Sequence, residues 1–227
     1  MNSIHVKICG LTNFEDAWVA VEAGADMLGF ILYPMSPRYV TPIQVAAITQ
    51  AIRARRGDRS PRFVGVFVDA TVDQVDDALG VAGLDYAQLQ GREPPDVLAA
   101  LSGRAYKALR PASVADAETA AGIFALLGPS AGPQLLIDAY DPHEYGGTGK
   151  KADWHAAAAL ARLYPRLMLA GGLTPANVAQ AIRTVQPWAV DVASGVETAP
   201  GRKDHGAIRA FVAEARQTRL NREETTP

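Results

Sequence analysis

Short runs of β-branched and aliphatic residues alternate along the chain with longer, alanine-rich segments. The strand-like runs fall at 4–9, 26–32, 62–68, 84–89, 104–109, 134–138, 166–170 and 188–193. Segments of helical character fill the gaps at 13–23, 42–54, 72–80, 95–101, 114–127, 153–162, 175–184 and 204–217. Some strand runs are apolar almost throughout, as in Phe63-Val64-Gly65-Val66-Phe67-Val68. Such a run suits a parallel sheet covered on both faces. Thr12-x-x-Glu15, Thr41-x-x-Gln44 and Thr71-x-x-Gln74 have the capping-box form. Thr41-Pro42 and Thr174-Pro175 put proline at a first helical position, where its missing N–H costs nothing.

Eight strands and eight helices in strict alternation, about 25 residues per repeat, predict a single-domain α/β protein, a (β/α)8 TIM barrel over 1–216 with a frayed polar tail at 217–227. A doubly wound sheet is the alternative fold. It usually carries a glycine-rich fingerprint after its first strand, which Cys9-Gly10-Leu11-Thr12 lacks.

The balance of charge narrows the partners. With 227 residues, 20% of them charged, and a net charge of −2, no whole-surface attraction to nucleic acid or acidic lipid is expected. The arginines at 53, 55, 56, 59 and 62 form a basic cluster, read as a solvated loop. The longest apolar runs are too short to span a bilayer. Cys9 is the only cysteine, so no internal disulfide forms; with no signal peptide at the start, a cytoplasmic location is expected. The four histidines stand far apart without ligand spacing, and neither a metal nor another cofactor is expected. Either a monomer or a homodimer fits.

In a barrel of this kind the active site lies at the C-terminal ends of the strands. The first strand ends in Cys9, and Lys7 shares its side of the strand. The sixth ends in Asp138. The seventh and eighth lead into Gly171-Gly172 and Ser194-Gly195, where such barrels often hold phosphate on backbone N–H groups. One ligand could therefore sit between Cys9 as base and Asp138 as acid. Lys7 would supply the cation a thiol needs, and partial burial would raise the Asp138 pKa. Each group also has a plain reading: a small buried hydrophobe, a loop carboxylate, tight-turn glycines. Gly146-Gly147-Thr148-Gly149-Lys150 is not a P-loop, because positions 144 and 151 are Glu and Lys; it reads better as part of a loop that folds over a ligand.

The ordered set Val6-Lys7-Ile8-Cys9-Gly10-Leu11-Thr12, Gly24-Ala25-Asp26-Met27-Leu28-Gly29-Phe30, Ser36-Pro37-Arg38-Tyr39-Val40, Gln88-Leu89-Gln90-Gly91, Leu136-Ile137-Asp138, Tyr145 to Lys150, Leu169-Ala170-Gly171-Gly172-Leu173 and Asp191 to Glu197 resembles the phosphoribosylanthranilate isomerases of tryptophan biosynthesis. The match runs from about residue 4 to 213. The resemblance implies a (β/α)8 barrel, a small phosphosugar substrate and an Amadori rearrangement without a cofactor. It makes Asp138 the general acid and Cys9 the general base. It implies substrate contacts at Lys7, Arg38, Gln90 and Gly149, and a phosphate grip at Gly171, Gly172, Ser194 and Gly195. Gln90 stands where the family more often has His, and Ala193 where Ser is common. Two other readings are a related isomerase of histidine biosynthesis and a non-catalytic phosphosugar-binding barrel. The first resembles a barrel with paired aspartates ending strands 1 and 5, whereas strand 1 here ends in Cys9.

Overall fold

The computed structural model describes residues 4–111, 113–138 and 154–218. Eight parallel strands close into a barrel in sequence order: β1 (His5–Ile8), β2 (Met27–Ile31), β3 (Arg62–Phe67), β4 (Tyr86–Leu89), β5 (Ala105–Leu109), β6 (Leu135–Ile137), β7 (Leu167–Leu169) and β8 (Ala189–Val192). Closure comes from β1 pairing with β8, with Lys7 opposite Asp191. Around it lie α1 (Phe14–Ala23), α2 (Pro42–Arg56), α3 (Val72–Ala82), α4 (Pro95–Ala100), α5 (Val114–Phe124), α6 (Trp154–Leu163), α7 (Val178–Val185) and α8 (His205–Gln217). Among the described residues no helix is long and apolar enough to cross a membrane.

The apolar pattern fills two compartments. Val6, Ile8, Leu28 and Phe30 face outward into the large cluster between strands and helices. Met27, Val64, Tyr106, Leu136 and Met168 form a separate cluster within the barrel. The strand period of two sends alternate residues to opposite compartments. Lys7, Gln88 and Asp191 sit at inward positions, so polar groups occupy the layer below the mouth.

Three local expectations differ from the structure. Asn13, rather than Thr12, caps α1 by accepting from Asp16 N, while the Thr12 hydroxyl donates to Gly201 O. Pro175 lies in a turn and α7 begins only at Val178, because the Asn177 side chain accepts from Thr174 N and donates to Gly172 O. The arginine cluster is largely exposed, as expected, but it is not a loop. Arg53 and Arg55 extend α2, one stacking on Phe63 and the other on Phe14 and Trp18, and Arg53 and Arg62 both pair with Asp85. The capping boxes at Thr41 and Thr71 are both formed. Between β8 and α8 stands a small antiparallel hairpin, β9 (Glu197–Ala199) and β10 (Arg202–Lys203). Its Pro200-Gly201 turn was a readable turn signal.

Candidate active site

A cavity of about 520 Å³ opens at the C-terminal ends of the strands. Cys9, Arg38, Gln88, Gln90, Asp138 and Asp191 all line it. Cys9 can turn into the barrel because its neighbour on β2 is Gly29. A Cβ there would lie 2.6 Å from the Cys9 sulfur and 3.1 Å from its Cα. Cys9 is buried, and burial pushes the thiol pKa up. Lys7 and Lys203 act in the opposite direction and Asp191 adds to the rise. Lys7 supplies the expected cation, but its charge does not outweigh burial and Asp191.

Lys7 is also corrected as a substrate contact. It is wholly buried one layer below the mouth and is not part of the cavity wall. The reason is strand parity: it shares Cys9's side of β1 but lies two residues deeper. Its ammonium sits 3.1 Å from Asp191 Oδ1 and donates to Gln88 Oε1 at 2.9 Å. Burial disfavours that charge, but Asp191, with Cys9 and Tyr106 adding to it, holds the lysine pKa above its ordinary range.

Across the mouth, Gln90 Nε2 donates to Asp138 Oδ2 at 2.8 Å. The turn that carries Gln90 is braced from behind. Lys107 Nζ donates to Gly91 O at 2.7 Å and pairs with Glu93 at 2.5 Å. Glu93 Oε1 accepts from Asp69 N and Gly91 N, and Arg110 donates to Gln90 O at 2.8 Å. Gly91 is required by close approach, since a Cβ would lie 2.4 Å from Asp69 Oδ1.

Arg38, on the loop after β2, forks onto Glu197 at the start of β9, with Nε and Nη2 donating at 2.9 and 2.7 Å. Lys203 Nζ donates to the same carboxylate at 2.8 Å and to Ala193 O at 2.9 Å. Burial works against the Glu197 charge, yet Arg38 and Lys203 hold its pKa below the usual carboxylate range.

Gly171, Gly172, Ser194 and Gly195 line a small cleft of about 50 Å³ between the loops after β7 and β8. Gly171 and Gly172 both have left-handed backbone, with φ of 92° and 65°. A Cβ at Gly195 would fall 1.8 Å from Leu173 O, so the two loops meet backbone to backbone only with glycine there. Asp138, Asp191 and Ala193 border both this cleft and the larger cavity, so the two are contiguous.

The structure thus gathers Cys9, Arg38, Gln90 and Asp138 at one mouth and the four cradle residues beside it. Gly149 and the rest of the 139–152 loop lie outside the described residues. The sequence reading assigned no role to Gln88, Asp191, Glu197 and Lys203. A charged or amide side chain inside an apolar strand, as at Asp191 and Gln88, was a signal that something buried must answer it. Nothing comparable marked Lys203.

A profile of the family described as N-(5'phosphoribosyl)anthranilate (PRA) isomerase matches residues 6–214. An N-(5'-phosphoribosyl)anthranilate isomerase from Geobacter sp. strain M21 is 46% identical over 215 residues, covering 93% of this chain and 98% of the relative. The chain belongs to the phosphoribosylanthranilate isomerase family. Among solved structures, the phosphoribosyl anthranilate isomerase of Thermotoga maritima superposes with a TM-score of 0.82 at 38% identity, over 93% of this chain and 98% of that one. Another isomerase of the family, solved in complex with reduced 1-(o-carboxyphenylamino)-1-deoxyribulose 5-phosphate, superposes with a TM-score of 0.76 at 35% identity, with the same coverage.

Proposed function

We propose that this chain carries out the Amadori rearrangement of its family, in tryptophan biosynthesis, with Asp138 as general acid and Cys9 as general base. The reaction converts N-(5'-phosphoribosyl)anthranilate to 1-(2-carboxyphenylamino)-1-deoxyribulose 5-phosphate. The observation that carries the assignment of roles is that Cys9 and Asp138 line one cavity, and that this cavity runs into the glycine cradle.

The protonated Asp138 carboxyl gives its proton to the ribose ring oxygen. The C1'–O bond breaks as the anthranilate nitrogen shares its lone pair with C1', giving an open-chain iminium. The Cys9 thiolate then takes the C2' proton. The C–H electron pair becomes the C1'=C2' double bond and the C1'=N π pair returns to nitrogen, neutralising its charge and leaving an enolamine that tautomerises to the ketone. The substrate is isomerised without net gain or loss of atoms, and solvent resets the carboxyl and the thiol. General acid and base steps of this kind contribute about 10² to 10⁴ each.

The cradle of Gly171, Gly172, Ser194 and Gly195 takes the phosphate on backbone N–H groups, with glycine allowing close approach. Arg38 is placed to meet the anthranilate carboxylate with a planar fork. Gln90 holds the acid. Gly149 is assigned to the substrate by resemblance alone.

The test is turnover of freshly prepared phosphoribosylanthranilate, followed as loss of substrate with indole-glycerol phosphate synthase as coupling enzyme. Product formed by the parent chain and at least about 10²-fold less by both Cys9→Ala and Asp138→Asn supports the roles. Parent-level turnover in either variant removes that residue from them.

A further inference from the structure

A string of polar side chains crosses the barrel from the base side of the mouth to the acid side. Lys7 Nζ donates to Gln88 Oε1 at 2.9 Å, Gln88 Nε2 to Gln90 Oε1 at 2.7 Å, and Gln90 Nε2 to Asp138 Oδ2 at 2.8 Å. The Tyr106 hydroxyl adds a second donor to Gln88 Oε1 at 2.9 Å.

The two ends of an amide have the same shape, so a glutamine's orientation follows from its partners. Here the starting partner decides. An ammonium has three donors and no acceptor. The Lys7 ammonium donates to Gln88 and pairs with Asp191 at 3.1 Å. Gln88 must face it with oxygen, which turns its NH2 toward Gln90. Gln90 must answer with oxygen, which turns its own NH2 toward Asp138. Every bond in the string therefore runs the same way, from the cation to the carboxyl.

We propose that Lys7, acting through Gln88 and Gln90, is a positioning residue for the acid, because the one-way string makes Asp138 Oδ2 an obligatory acceptor and confines the transferable proton to Oδ1. This rests on the reading of Asp138 as the proton donor. A carboxyl that could carry its proton on either oxygen would spend part of its time in an unproductive arrangement, and misplaced donors lose rate steeply. A donor held on Oδ2 also favours the carboxylate over the acid, so it makes Asp138 a readier donor. Gln90 suits this task. An imidazole can present either a donor or an acceptor and changes charge near neutrality, whereas an amide between two fixed partners does neither.

The isosteric substitution Gln88→Glu tests the direction of the string. Its carboxylate satisfies Lys7 with one oxygen but offers Gln90 a second acceptor. Gln90 then turns its NH2 back and shows Asp138 an oxygen, so that Oδ2 must itself carry the proton. The other titratable groups of the cavity wall are Cys9 and Asp191 on the barrel and Tyr33 and Arg38 after β2; a carboxylate against Lys7 bears on Cys9 and Asp191 too, so the Asp138 titration is followed directly beside the kinetics.

The expected result is a kcat at least about tenfold lower with KM within about twofold, and the acid limb of the kcat profile displaced to higher pH. A carbon-13 titration of the Asp138 carboxyl in the free protein should rise in step. Gln90→Met removes the donor on Oδ2 and should lower kcat and raise that titration as well, though less than Gln88→Glu, which sets an acceptor against Oδ2; it serves as the second variant should Gln88→Glu not fold. A folded Gln88→Glu protein with the parent kcat and an unmoved Asp138 titration overturns the proposal. Absence of turnover by the parent chain faults the assigned reaction instead, and the Asp138 titration still decides the string.

Discussion

Arg38 and Glu197 stand 159 residues apart in the chain, and their forked pair joins the loop after β2 to the hairpin after β8. Both side chains are mostly enclosed, with 11% and 4% exposure. Glu197 thus sets the angle at which Arg38 presents itself to the cavity. Glu197→Gln keeps the shape but removes the charge that grips the guanidinium. Its expected effect is a KM about tenfold higher with a smaller change in kcat, since binding is lost about equally in ground and transition states. Steady-state kinetics check this; an unchanged KM would show that Arg38 needs no anchor.

Cys9 must lose its proton to serve as base, and its burial works against that. Alkylation of Cys9 by iodoacetamide, located by mass spectrometry, should therefore climb with pH through and beyond the ordinary thiol range near 8.5, and the labelled protein should be inactive. A plateau of labelling below about pH 8 would mean that the lysines outweigh burial. Cys9→Ala should reduce kcat/KM at least about 10²-fold, with little change in phosphate affinity.

Asp138→Asn preserves the acceptor that Gln90 Nε2 needs while removing the proton the ring oxygen receives. It should lose activity about as far as Cys9→Ala does, with its melting temperature close to the parent's. Circular dichroism melts beside the turnover assay separate a chemical loss from a folding one.

The barrel itself was legible because its signal is collective. Unbroken apolar strands such as Phe63 to Phe67, alternating with capped amphipathic segments, admit few topologies. That Cys9 and Asp138 would line one cavity was legible because the C-terminal strand ends meet at the mouth of this fold. Lys7 was misjudged because a period of two reveals the side of a strand but not the depth within the barrel. The Gln88 to Gln90 string and the Arg38–Glu197 pair could not be read from the sequence. They depend on register between strands and on loop approach, neither of which has a local pattern. Asn177 displaced the expected start of α7 because its side chain captured Thr174 N, a local bond that competes with the helix.

Gly29 is constrained by its neighbour and not by its dihedral angles. A methyl group there would press on the sulfur and on the Cα of Cys9, and the backbone atom has little room to give. Gly29→Ala should therefore displace the base while the barrel still closes. A stability loss of about 1–3 kcal/mol is expected from overpacking, together with a kcat/KM loss well beyond what that instability explains at 25 °C. Urea titration and kinetics on the same preparation make the comparison; full activity would mean that β2 yields instead of Cys9.

Two carboxylates tie the β9–β10 hairpin to the barrel. Glu197 holds Arg38 and Lys203, and Asp16 on α1 accepts from Lys203 N at 3.1 Å. Burial opposes both charges, but for Glu197 the pair with Arg38 and Lys203 prevails, and for Asp16 the bonds from Lys203 N, His205 and Asn13 do; both pKa values lie below the ordinary range. A depressed native pKa contributes stability that is complete above the unfolded value, about 4, and disappears as pH falls through the native values. The urea midpoint should hold level from these groups down to about pH 5 and then fall. In the double variant Asp16→Asn, Glu197→Gln that acid slope should be shallower, because two of the protons taken up on unfolding are gone. An equal slope in parent and variant between pH 5 and pH 3 would place the acid sensitivity in other carboxylates, Asp26 first among them, whose pKa is likewise depressed, against its own burial, by His5, Val6 N and Arg216.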